Sequence, residues 1–154
     1  MSTVEDRLAE LGLTVPEVVP PVAAYVPAVR DGNLVFTSGQ LPMVDGAMAA
    51  TGKVGADVTP ETAKQLAQAC ALNAIAAIKA LIGDLDQVAR VVKVVGFVAS
   101  EPSFTGQPAV INGASELLAK AFGDKGVHAR SAVGVAALPL DAPVEVEVIV
   151  SIAD

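Results

Sequence analysis

Apolar residues along this chain fall into runs whose period changes from segment to segment. In "STVEDRLAELGL", Val4, Leu8 and Leu11 recur at helical spacing behind a cap-like Ser2/Thr3, which predicts a short amphipathic helix. "TVPEVVPPVA" follows, and its prolines forbid helix and favour an extended linker. Two β-prone runs then flank "RDGN". Asp-Gly in that setting predicts a hairpin of strands at about 23–30 and 33–41. "MVDGAMAATGKVGAD" is glycine-rich and loop-like, with room for one short strand. The clearest helix signal comes next: Thr59 at the N-cap, Pro60 at the first helical position and Gly83 as the stop. Leu66, Cys70, Ala74, Ile78 and Leu81 form its apolar face, while Lys64, Gln68 and Lys79 lie away from it. "VARVVKVVGFVAS", 88–100, is rich in β-branched residues and predicts a buried strand. A second helix is predicted at about 107–122, then strands at 128–138 and 144–153 joined by "PLDAP".

The resulting order, βββαβαββ after an N-terminal extension, is that of an α/β two-layer sandwich with helices on one sheet face. The extension occupies 1–20 and the α/β domain 21–154, with no boundary-type linker or repeat inside the domain. In the last strand Val144, Val146 and Val148 alternate with Glu145 and Glu147. The valines suit the side under the helices, which leaves the two acids on the open side. In "HARSAVGVAALPL", His128, Arg130, Ala132 and Gly134 share one face. If the last two strands form a hairpin turning at 139–142, Leu138 pairs with Pro143 and Arg130 lies opposite Ser151. Arg130 and Glu145 are then roughly 20 Å apart and do not meet within one chain.

Composition narrows the function classes. The chain of 154 residues is 53% hydrophobic and 18% charged, so it is no disordered segment. Its apolar content is Ala and Val rather than aromatic, with surplus apolar surface that points to a homo-oligomer. A net charge of −7, with ten scattered basic residues, argues against a nucleic-acid partner. One histidine and one cysteine leave no Cys/His zinc site, and GxGxxG, GxxxxGK[ST] and GxSxG are all absent. Cys70 cannot form an internal disulfide, which suits a reducing cytoplasm, and it sits on the helix stripe as a small core residue. The longest charge-free runs fall short of the roughly 20 residues that span a bilayer. The N-terminus lacks the apolar run of a signal peptide. Against this background Arg130 stands out. A guanidinium in a strand of small residues cannot shed its charge and needs a partner.

"YVPAVRDGNLVFTSGQLP", "ARSAVGVAALPLDAPVEVEVIV" and the asparagine of "VINGASELL" together resemble the Rid family, also called YjgF or L-PSP proteins. The resemblance runs from about Tyr25 to the C-terminus. Its most specific part is the Ala-Arg-Ser strand that ends in Leu-Pro and is followed by Val-Glu-Val-Glu. The longer chain and N-terminal helix are similar to the family's extended subgroup. The resemblance implies a chorismate-mutase-like fold assembled as a homotrimer, with sites for small carboxylate metabolites in clefts between subunits. It further implies a hydrolase, an enamine/imine deaminase that releases a 2-keto acid and ammonia without metal or cofactor. Carried over by position, Arg130 binds the carboxylate and Glu145 orients the water. Tyr25 is the pocket aromatic, Asn112 the pocket amide, and Gly39 contributes its backbone. Combined with the hairpin spacing, this places Arg130 and Glu145 of one site on different subunits, unless a bulge shortens the gap. Two departures remove polar groups from the expected pocket: Ala132 replaces a frequent cysteine, and Val26-Pro27 a frequent Ser-Gln. The alternatives are a non-catalytic carboxylate binder acting as carrier or sensor, an Arg130–Glu145 ion pair that only fixes trimer register, and the endoribonuclease activity with which the family is often labelled.

Overall fold

In chain order the elements are helix α1 (Thr3–Glu10), strands β1 (Ala28–Asp31), β2 (Leu34–Thr37), β3 (Met43–Val44) and β4 (Ala47–Met48), helix α2 (Pro60–Ile82), strand β5 (Val88–Ala99), helix α3 (Gln107–Phe122), and strands β6 (Ala129–Val135) and β7 (Val144–Ile152). The structure, a computed structural model, describes residues 2–21 and 23–154. Met1, in the 1–20 extension, and Val22, in the 21–154 domain, lie outside the described residues. Five strands form one sheet in the order β1-β2-β7-β5-β6, and β3 and β4 form a separate small ribbon. The chain is thus the expected two-layer α/β sandwich, with α2 and α3 packed on one face.

Strand alternation decides which residues enter the core. Val144, Val146, Val148 and Val150 of β7 are buried under the helices, and so are Val91, Val94 and Val98 of β5. Glu145 and Glu147 turn to the opposite, helix-free side, where both are half-buried. On α2, Thr59 caps the helix by accepting from the Thr62 N–H, Pro60 follows it, and Gly83 ends the helix. Leu66, Cys70, Ala74 and Ile78 are buried as the helical spacing predicts, but Leu81 is exposed. In the last turn the next residue, Ile82, packs against the core in its place. Alanines let α2 and α3 approach closely. At the crossing Gly113 lies so near the Lys64 carbonyl that no side chain fits. By length and composition alone the 23-residue α2 is apolar enough to cross a bilayer, although Glu61, Lys64 and Lys79 keep its charge-free run short of that span. Here most of its apolar side chains are core residues instead.

The last two strands do not pair, which corrects the expected hairpin. β6 lies parallel to β5, with Val94 opposite Arg130, whereas β7 lies antiparallel to β5 on its other edge, with Phe97 opposite Glu145. Ser151, expected opposite Arg130, pairs with Leu34 and Arg90. The cause is the segment between them. Pro139 and Pro143 lack ladder N–H groups, and Leu140 and Asp141 take left-handed φ values of 58°. The chain therefore crosses the end of β5, where the Ala99 N–H donates to the Pro143 carbonyl, and enters the sheet centre. Strands β1, β2 and β6 are shorter than the spans 23–30, 33–41 and 128–138.

The N-terminal extension is docked on the body. Val4 and Leu8 of α1 join the main core cluster. The Thr3 and Val4 N–H groups donate to the Asp86 carboxylate at 2.9 and 3.4 Å, and these bonds hold the Asp86 pKa below its ordinary value.

Candidate functional site

Arg130 stands on an edge strand, and its register opposite the buried Val94 turns its side chain toward α3. There Nη1 donates to Asn112 Oδ1 at 2.7 Å and to Ser115 Oγ at 3.2 Å, and Nη2 donates to the Pro108 carbonyl at 3.3 Å. Asn112 and Ser115 lie three apart on α3 and therefore share a face. His128, two positions before Arg130, reaches the same serine. Its Nε2 is 2.9 Å from Ser115 Oγ, and its Nδ1 is 2.6 Å from the Gly126 carbonyl. A carbonyl only accepts, so Nδ1 carries the proton, and in the neutral ring Nε2 accepts from the Ser115 hydroxyl. That leaves Ser115 Oγ free to accept from Arg130. Among the described residues every partner of the guanidinium is neutral, and at most three of its five donors are engaged.

Glu145 occupies the other side of the sheet. The N–H and carbonyl of Gln40 bridge to Val146 at 2.8 and 3.0 Å, which presses the preceding residue, Gly39, onto the Glu145 side chain. Any side chain at Gly39 would overlap the Glu145 carboxylate. Burial, with a smaller contribution from neighbouring Glu147, raises the Glu145 pKa. Among the described residues no lysine or arginine pairs with it. A cavity of about 700 Å³ opens beside Gly39, with Tyr25, Leu41 and Met43 in its wall together with the Pro16–Pro21 segment. Ser38, beside Gly39, spends its hydroxyl on the Val26 carbonyl at 2.6 Å. Cys70 is fully buried, and burial pushes its thiol pKa up, so no thiolate is available there.

The five residues singled out from sequence thus fall into two groups within the chain. Arg130 and Asn112 are hydrogen-bonded to each other. Gly39 touches Glu145, and Tyr25 and Gly39 line one cavity. Arg130 and Glu145 are separated by β5, three residues along it and two strand spacings across, or about 14 Å between Cα atoms. They also point to opposite faces of the sheet. This replaces the hairpin spacing of roughly 20 Å. Sequence reasoning missed Ser115 and Gln40, and left His128 without a role. The i, i+3 spacing of Asn112 and Ser115 carried the signal for the first. Among the described residues no cluster of three metal-ligating side chains occurs.

Comparison with known proteins agrees with this architecture. Residues 5–152 match the family model described as "YjgF/chorismate_mutase-like, putative endoribonuclease". The chain is 46% identical over 147 residues to protein TCP17 of Trypanosoma cruzi, covering 95% of this chain and 92% of that one. The crystal structure of protein Atu1372 from Agrobacterium tumefaciens, of unknown function, superposes with a TM-score of 0.91 at 51% identity, covering 97% of this chain and 92% of that one. A "putative endoribonuclease" from Shewanella oneidensis superposes with a TM-score of 0.95 at 31% identity, over 98% of this chain and 100% of that one.

Proposed function

Because the chain belongs to the YjgF/chorismate-mutase-like family, we propose that it hydrolyses reactive 2-imino acids to 2-keto acids and ammonia, at sites completed between protomers of a homotrimer. One observation carries this reading. Among the described residues Arg130 is held in place by neutral acceptors alone, which leaves its charge and at least two donors for an anion. A planar guanidinium grips a carboxylate by two parallel hydrogen bonds, which fixes the substrate's orientation. Glu145, in its ionised form, takes a proton from water as the oxygen attacks the C=N carbon. It returns that proton to the imine nitrogen, giving a carbinolamine. It then carries the carbinolamine's hydroxyl proton to the same nitrogen, so that the C–N bond breaks, ammonia leaves and the keto C=O forms. The raised pKa suits this exchange, since the acid form is accessible closer to neutrality than for an ordinary glutamate.

The two groups sit about 14 Å apart on opposite faces, which favours a site shared by two chains. The helix-free sheet face supports the same assembly, since Val29, Leu34 and Val133 are exposed there and Phe36 and Phe97 are only partly covered. A net charge of −7 with no basic cluster offers little to an RNA backbone, so the proposal is the small-molecule one.

The test is decay of freshly generated 2-aminoacrylate with and without the purified protein. Faster decay that Arg130→Ala abolishes is the expected result. Decay unchanged by the wild-type protein contradicts hydrolysis.

A further inference from the structure

The cavity beside Gly39 is larger than a three-carbon acid requires. Its volume of about 700 Å³ lies within the roughly 300–1,000 Å³ range of small-molecule pockets. Its chemistry is one-sided. Val18, Val19, Leu41, Met43 and Tyr25 supply apolar walls, and Pro27 adds to them where the Rid pattern commonly has a polar residue. Glu17 and Asp45 are the charged groups in its lining, and among the described residues no lysine, arginine or histidine lines it. Such a cavity repels the carboxylate end of a ligand and accepts an apolar tail. Its position suits such a tail. Gly39 both lines the cavity and packs against the Glu145 carboxylate, so the cavity begins one residue away from the group assigned to the C=N carbon.

The walls are also preformed. Prolines 16, 20 and 21 restrict the backbone of the segment that closes one side. On the other side Asn73, nearly fully buried on α2, donates through Nδ2 to the Leu41 and Met43 carbonyls at 3.0 Å each, which pins those residues. A stiff apolar pocket loses little freedom when filled. From these observations we infer that the Pro-rich N-terminal segment and the Leu41–Met43 turn form a side-chain pocket. The preferred substrates are then 2-imino acids with large apolar side chains, of leucine or methionine size, rather than the alanine- or serine-derived ones. This inference rests on the roles given above to Arg130 and Glu145.

The test measures binding and turnover separately on the full-length protein. Calorimetry compares pyruvate with 4-methyl-2-oxopentanoate. Turnover compares the imines that an amino-acid oxidase generates from alanine and leucine. Burying three further carbons predicts tighter binding of the larger acid by about tenfold or more, and a similar preference in kcat/KM. Val19→Trp, and independently Val18→Trp, should bring the ratio between the two acids toward unity. Equal affinities for the two acids, or a ratio that neither variant changes, overturn the inference. Hydrolysis of 2-aminoacrylate would in that case leave the catalytic reading intact. Conversely, size-selective binding without turnover keeps the pocket and removes the hydrolysis.

Discussion

Arg130 and Glu145 are each held by an unusual local device. The arginine is aimed by a chain of neutral hydrogen bonds that begins at the Gly126 carbonyl and passes through His128 and Ser115. The glutamate is half-buried against a residue that must lack a side chain, because Gln40 is bridged to Val146 and draws Gly39 down onto it. Gly39→Ala should therefore displace the carboxylate, lowering kcat/KM by an expected tenfold or more. Circular dichroism should remain that of the folded protein, since Gly39 is outside the core. The pH dependence has a definite sign. Burial raises the folded pKa of Glu145 above its ordinary 4.5, so the protonated form is favoured by folding and stability falls as pH rises through that interval. Glu145→Gln should raise the melting midpoint near pH 7 by about 1–3 °C and give no advantage at pH 4. In the wild type, kcat/KM should fall with acidification on a limb that lies above pH 4.5.

At the level of elements, helices were more legible than strand partners. Thr59, Pro60 and Gly83 bound α2 through local capping chemistry, so sequence located both ends. Thr59→Ala should cost about 1 kcal/mol, read as a drop in melting midpoint of about 2–4 °C. Alternation along β7 likewise revealed which of its residues face the core, because that property is local to a strand. Which strand lies beside which is not local. The spacing of β6 and β7 suggested a hairpin. The prolines and left-handed residues of the connection instead send β7 across β5 into the middle of the sheet. That difference reaches the site, since it puts Arg130 on the helix side and Glu145 on the open side. The Pro-rich segment was legible as extended, but its role as a cavity wall depends on its placement around one cavity with Leu41, Met43 and Tyr25, which its own sequence does not encode.

For the whole molecule, the single chain holds two incomplete groups: a cation-bearing edge at β6 and α3, and a carboxylate beside an apolar cavity. The proposed trimer joins the Arg130 of one protomer to the Glu145 of the next and covers the apolar sheet face in doing so. Subunit mixing tests this most directly. Arg130→Ala and Glu145→Gln are each expected to be inactive as purified homo-oligomers. When the two are denatured, mixed in equal amounts and refolded together, random assembly should leave about one site in four with both native groups. Recovery of about a quarter of wild-type activity is the predicted result. A mixture as inactive as its parents, with mixed oligomers demonstrated by mass spectrometry, would contradict the shared site.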